Sequence, residues 1–199
     1  MEMNINYAII GVISFVIILI VGSLISDYFW RKKKLQNFPI KYRGKIFWFS
    51  RSVAVVLFTF CKNAEGKLCV LANRRGNGTP DFQGYWNAPC GYLDFDESGE
   101  EACQRETYEE TGVFVNTSNI IFNNANSDPK DSNRQNVTLR YMASINDKLT
   151  SDFKFDTSHS EQNEVSDVKW IPIDELENYK WAFGHKELIM EASNKLNNK

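Results

Sequence analysis

The stretch from Gly91 to Val113 constrains this chain more than any other. Residues 94–110 hold eight acids (Asp94, Asp96, Glu97, Glu100, Glu101, Glu106, Glu109 and Glu110) and one base, Arg105. Ser98-x-x-Glu101 reads as a capping box and Gly112 as the residue that stops a helix, so a helix is expected from about Gly99 to Thr111. On it Glu106 and Glu110 are four apart and Glu109 is three beyond Glu106, which puts three carboxylates on one flank. Like charges at these spacings cost a helix roughly 0.2–0.5 kcal/mol per pair, and a solvated helix normally intersperses lysines. This one has none. A hard divalent cation would supply the missing positive charge, because Mg2+ takes carboxylate oxygens and keeps waters or substrate phosphates in its other positions.

The N-terminus carries the second strong pattern. No residue from Met3 to Ser26 is charged, and Tyr7–Ile25 is nearly continuous aliphatic. At a helical rise of about 1.5 Å such a run spans roughly 28 Å, close to the hydrocarbon thickness of a bilayer. A cleaved signal peptide would want a basic start and a small-residue cleavage site, but the start holds Glu2 and no lysine or arginine. The expectation is a transmembrane anchor over residues 1–30 and a basic tether over residues 31–47, where Pro39 and Gly44 discourage a continuing helix. Arg31-Lys32-Lys33-Lys34 follows the span directly, so the expected protein is a single-pass membrane protein whose C-terminal domain faces the cytoplasm.

Charge and cysteines narrow the function classes. The formal net charge is −2, and residues 94–110 alone carry the acidic excess of everything beyond residue 47. A basic surface for nucleic acid is therefore not expected. The four cysteines (Cys61, Cys69, Cys90 and Cys103) include no CxxC pair, which argues for buried reduced thiols over a zinc site or a disulfide framework.

Residues 48–199 read as one α/β domain. Val53–Phe60 and Lys67–Asn73 are short apolar or β-branched runs around Asn63–Gly66 and predict an antiparallel pair. Val113–Phe122, Val137–Ile145 and Val165–Ile171 predict further strands. A short helix is expected over Asp174–Tyr179, and Glu187–Leu196 has helical spacing.

The spacing Gly91-x5-Glu97-x7-Arg105-Glu106-Thr107-x-Glu109-Glu110-x-Gly112-Val113 resembles the Nudix box, with Thr107 where that pattern has an aliphatic residue. The resemblance covers roughly residues 48–195. It implies the Nudix fold, a mixed sheet between helices, and hydrolysis of a nucleoside diphosphate linked to another group with Mg2+, or Mn2+ as a substitute. It also implies Glu106, Glu109 and Glu110 as metal ligands, joined by the Gly91 carbonyl. Glu97 and Arg105 would hold the helix and orient Glu106, which doubles as a candidate base. A general base from a loop beyond the box is expected at Glu164 or Glu161, with Glu164 preferred.

Arg74, Arg75 and Arg140 are candidates to meet phosphates, arginine being suited to that task. Phe82, Tyr85, Trp86, Trp181 and Phe183 are candidates to stack a base, although aromatics more often fill a core. His185 reads as a packing or capping residue with a substrate contact open. The second group stays undetermined among ADP-ribose, dinucleoside polyphosphates, damaged nucleotides and nucleotide sugars. The alternative function is a membrane-anchored, nucleotide-sensing module without turnover.

Overall fold

The computed structural model describes residues 17–23, 38–128, 130 and 136–197. The chain divides into two units, Met1–Ser50 and Arg51–Lys199.

In the first unit residues 17–23 are helical, and the rest of the apolar run lies outside the described residues. That stretch covers roughly 10 Å, about a third of a bilayer's hydrocarbon thickness. Among the described residues no helix is long and apolar enough to cross a membrane. The expected anchor, and with it the single-pass location and orientation, is corrected on this ground. Arg31–Lys34 lie outside the described residues.

Most of the stretch read as a tether takes part in a hairpin. Strand β1 (Phe38–Tyr42) pairs antiparallel with β2 (Lys45–Phe49), from Phe38↔Phe49 to Tyr42↔Lys45. Its two turn residues, Arg43 (φ 47°) and Gly44 (φ 78°), are both left-handed, the geometry that matches the twist of paired strands.

The second unit is built on β3 (Val53–Lys62), which pairs in parallel with β8 (Val137–Leu149) on one side. On its other side β3 changes partner along its length. Its end, Phe60–Lys62, pairs antiparallel with β4 (Leu68–Arg75), whereas Ala54–Val56 pairs with β6 (Cys90–Tyr92). Strand β4 then runs on between β5 (Trp86–Asn87) and β9 (Val165–Pro172), and β7 (Ile121–Asn126) closes the far edge on β8. Where β3 and β4 part, the segment from Trp86 to Tyr92 fills the gap. The segment leading into the acidic helix is thereby seated against the middle of the sheet.

Alternation along the strands covers both faces. Val55 and Leu57 of β3 and Leu71 of β4 pack with Ala102 and Cys103 of α1 (Gly99–Thr111). Val56, Phe58 and Phe60, with Val70 and Ala72, pack with Ile189 and Ala192 of α2 (His185–Asn197). Successive side chains point to opposite faces, so a strand buried on both reads as a continuous apolar run. The expected mixed sheet between helices is present.

Two boundaries differ from expectation. The strand expected over Val113–Phe122 begins only at Ile121, as β7: Val113 and Val115 are buried, but a 3-10 turn at Thr117–Asn119 follows them, capped by Asn116 Oδ1 accepting from Ser118 N at 3.0 Å. The local side-chain bond wins there over the period-two pattern. The expected short helix is a 3-10 segment, Ile173–Asn178.

Candidate active site

Helix α1 begins and ends where its caps dictate. Ser98 Oγ accepts from Glu101 N at 3.3 Å while Glu101 Oε2 accepts from Ser98 N at 2.7 Å. Gly112 closes the other end at φ 74°, its N–H donating to Tyr108 O at 2.7 Å.

Arg105 organises the carboxylates. Its Nε and Nη2 grip both oxygens of Glu97 at 3.0 and 2.6 Å. Its Nη1 reaches Glu106 Oε1 at 2.7 Å and Glu109 Oε2 at 3.2 Å, and Nη2 also donates to Tyr92 O at 3.0 Å. Glu97 Oε1 accepts in addition from Asp94 N at 2.9 Å. One guanidinium thus ties the loop before the helix to the helix flank, and its bond to Glu97 holds that carboxyl below the usual range.

Glu106 and Glu110 face inward. Glu106 lies directly against Gly91, where an added Cβ would fall on its carboxylate. Burial raises the Glu106 pKa, opposed by Arg105 and reinforced by Glu109 and Glu164. Glu110 is buried, and its Oε2 accepts from Cys90 N at 3.2 Å. Burial, then the charges of Glu106 and Glu164, push its carboxyl well above the ordinary range. Burying a carboxylate beside two others disfavours ionisation unless a cation compensates.

The structure brings Glu164 to this cluster. Gly76 N donates to Glu164 O at 2.6 Å and Gly78 N to Asn163 O at 2.8 Å. A Cβ at Gly76 would strike Asn163 O, and one at Gly78 would lie 2.5 Å from Gln162 O. The two glycines therefore let the loop after β4 lie backbone to backbone with the loop that carries Glu164. Burial and the neighbouring Glu161 raise the Glu164 pKa, with Glu109 adding to them.

Arg75 is the residue sequence reading placed least well. Its Nη2 meets Asp81 Oδ1 at 2.8 Å and its Nε donates to Asp81 O at 3.0 Å, with its side chain 10% exposed. Its charge pulls down the pKa values of both Glu110 and Glu164. It is a buried brace beside the carboxylates. The Arg-Arg-Gly-x-Gly run is its only sequence signal.

Among the described residues no three His, Cys, Asp or Glu side chains converge closely enough to hold a metal ion between them. The donor set nonetheless fits a hard cation, since every candidate atom is oxygen and Glu110 is buried against like charge.

The substrate candidates separate. Arg74 is exposed, with Nε donating to Gly84 O at 3.0 Å. Arg140 is half-buried on β8, its Nη1 3.5 Å from Asn124 Oδ1, and its charge acts on His185 and Glu191. Trp86 is buried in the α2-side core with its ring edge-on to Tyr179 at 5.5 Å, which corrects its reading as a stacking surface. Trp181 packs against the same core and donates to Leu176 O at 2.9 Å. Phe82, Tyr85 and Phe183 are exposed.

Comparison with known proteins agrees with this geometry. The profile of the NUDIX domain matches residues 49–192. A protein of Acinetobacter baylyi described as ADPR responsive transcriptional repressor NtrR is 30% identical over 139 residues, covering 68% of this chain and 50% of that protein. Phosphatase NudJ of Escherichia coli is 37% identical over 59 residues, 30% of this chain and 35% of NudJ. The chain spans half or less of the length of these curated relatives. The NUDIX domain of Shewanella oneidensis NrtR, solved in complex with ADP ribose, superposes with a TM-score of 0.61 at 26% identity, covering 74% of this chain and 90% of that one.

Proposed function

Because the chain belongs to the NUDIX domain family, we propose that it hydrolyses a nucleoside diphosphate linked to a second moiety, cleaving the phosphoanhydride with the help of Mg2+ or Mn2+. The observation that carries this reading is that the charge of Glu164, from a separate loop, reaches Glu106 and Glu110 on the helix flank that also bears Glu109. Arg105 binds Glu106 and Glu109, and the charge of Arg75 acts on Glu110 and Glu164.

Glu106, Glu109 and Glu110, with the Gly91 carbonyl, would hold the cation. When bound, it would neutralise charge on the phosphate oxygens and lower the pKa of attacking water. Arg105, anchored on Glu97, keeps Glu106 and Glu109 at fixed positions. Cys90 N–H keeps one oxygen of Glu110 turned toward β6. Glu164 would accept the water proton at its carboxylate, and its raised pKa brings it nearer the operating pH of a general base.

A second reading is an ADP-ribose sensor without turnover. It is favoured by the 30% identical relative described as an ADPR responsive repressor and by the neighbour solved with ADP ribose. Against it stands the full set of box carboxylates in this chain.

The test is hydrolysis of ADP-ribose, a dinucleoside polyphosphate and a nucleotide sugar by the full chain in Mg2+, read as the two phosphorylated products that cleavage of the phosphoanhydride leaves, repeated in EDTA and with Glu110→Gln. Turnover that vanishes in EDTA and falls by orders of magnitude in the variant is expected. Tight binding with no turnover of any substrate would favour the sensor, and turnover undiminished in EDTA would overturn the metal reading.

A further inference from the structure

Phe82, Tyr85 and Phe183 make one exposed aromatic cluster. Phe82 meets Phe183 at 4.9 Å and Tyr85 at 5.7 Å, both edge-on, yet the three residues stay 44%, 36% and 40% exposed. Single exposed aromatics are ordinary, but here three converge from two segments far apart in sequence.

Two of them sit in unfavourable backbone. Phe82 has φ 49° and Phe183 φ 58°. The left-handed region is uncommon for a bulky residue, and such strain gathers at ligand clamps and active sites. Phe183 and Gly184 (φ 67°) are the centre of a tight turn closed by His185 N donating to Ala182 O at 3.0 Å. A turn with two left-handed centres favours Asn, Asp or Gly at the first position. Phenylalanine there costs stability, and although its ring touches His185 at 5.5 Å and Arg75 at 4.9 Å, 40% of the residue stays open to solvent.

The cluster adjoins the carboxylates. The Arg75 guanidinium lies 4.9 Å from the centre of the Phe183 ring, and the same guanidinium acts on Glu110 and Glu164. Arg74 binds Gly84 O, inside the segment joining Phe82 to Tyr85. Rings, then the Arg75 guanidinium, then carboxylates is the order in which a base, its phosphates and a cation would be met.

We propose that Phe82, Tyr85 and Phe183 form a shelf on which the planar base of a nucleotide substrate stacks, positioning its phosphates beside the carboxylates. The proposal rests on the nucleotide reading above and adds to it where the base goes. Every base has a π-face, so the shelf supplies affinity for nucleotides generally and reads the base weakly.

The test is calorimetric binding of AMP, GMP, CMP and UMP, against base-free ribose 5-phosphate, to the full chain in Mg2+. Phe82→Gly and Phe183→Gly remove a ring while relieving the left-handed strain, so folding is retained. Phe82→Tyr keeps a ring. The wild type is expected to bind at least one nucleotide about tenfold or more tightly than ribose 5-phosphate, and each glycine variant to lose most of that preference, while Phe82→Tyr keeps it. Nucleotide preference unchanged in both glycine variants would overturn the shelf and leave the nucleotide reading standing. A wild type that neither prefers nucleotides to ribose 5-phosphate nor hydrolyses any nucleotide would overturn both.

Discussion

Ala88 N–H donates to His185 Nδ1 at 3.1 Å, which makes the imidazole an acceptor and fixes the tautomer that carries its proton on Nε2. The ring is 5% exposed and stands edge-on to Phe58 at 5.9 Å. Burial, together with the positive charges of Arg140 and Arg75, pushes its pKa down to about 3. Of the roles open to His185 from sequence, packing is the one the structure supplies: it joins the start of α2 to the turn after β5.

This sets a pH dependence. Between about 3 and 6.5 the unfolded chain binds a proton at His185 that the folded chain refuses, so stability rises with pH in that window. The contribution is complete above pH 6.5 and is lost as pH falls below it, about 2 kcal/mol by pH 5. His185→Asn keeps an acceptor and removes the titration. Urea midpoints at pH 7.5 and pH 5 should fall further in the wild type than in the variant. Equal falls would refute the assignment.

Gly91→Ala should keep the fold and impair turnover. The added methyl would sit on the Glu106 carboxylate, which Arg105 holds in place, so the carboxylate must shift. A displacement of about 1 Å costs roughly 100-fold in rate. Steady-state kinetics and a thermal melt separate the two effects, and unimpaired turnover would contradict the packing.

Arg105→Lys preserves charge and loses the two-pronged grip on Glu97, because an ammonium cannot span both oxygens while reaching Glu106 and Glu109. The expected results are a loss of about 1–3 kcal/mol in urea unfolding and a fall of roughly 10–100-fold in turnover. A variant with wild-type values for both would show that Arg105 is not the organiser.

Thr107→Val should stabilise the protein. Thr107 is fully buried and its hydroxyl has no hydrogen-bond partner, while valine has nearly the same shape. Removing an unpaired buried hydroxyl is worth about 1–3 kcal/mol, a rise of several degrees in Tm. A lower Tm would mean the hydroxyl is satisfied after all.

Glu164→Gln should lower kcat by about 100-fold or more with little change in nucleotide affinity, as loss of a general base does. Glu161→Gln is the comparison. The charge of Glu164 reaches Glu106 and Glu110 directly, whereas Glu161 acts on Glu164. If only the Glu161 variant loses turnover, the roles are reversed.

Helix α1 is legible in the amino-acid sequence because everything that makes it is local. The capping box, Gly112 and the carboxylate flank all lie within one short stretch, and their spacing sets their geometry. Strands β3 and β4 are legible as apolar runs for the same reason. The apolar run Tyr7–Ile25 is legible only as composition, and among the described residues it yields no spanning helix. The strand expected over Val113–Phe122 starts only at Ile121 because alternation at Val113 and Val115 cannot register the turn that Asn116 caps.

What the sequence determined by itself was the acidic helix, the spacing of its carboxylates and the family those residues belong to. Their information is contained in neighbours three and four residues apart, which any helix brings together. Tertiary structure alone decided the rest of the site. It brought the charge of Glu164 within reach of Glu110 through the glycines at 76 and 78, turned Arg75 inward as a brace, and sank Trp86 in the core while leaving Phe82 and Phe183 exposed. These outcomes depend on which segments fill the gap where β3 leaves β4 for β6. Such long-range contacts follow from packing the whole sheet and leave no periodic mark in the chain.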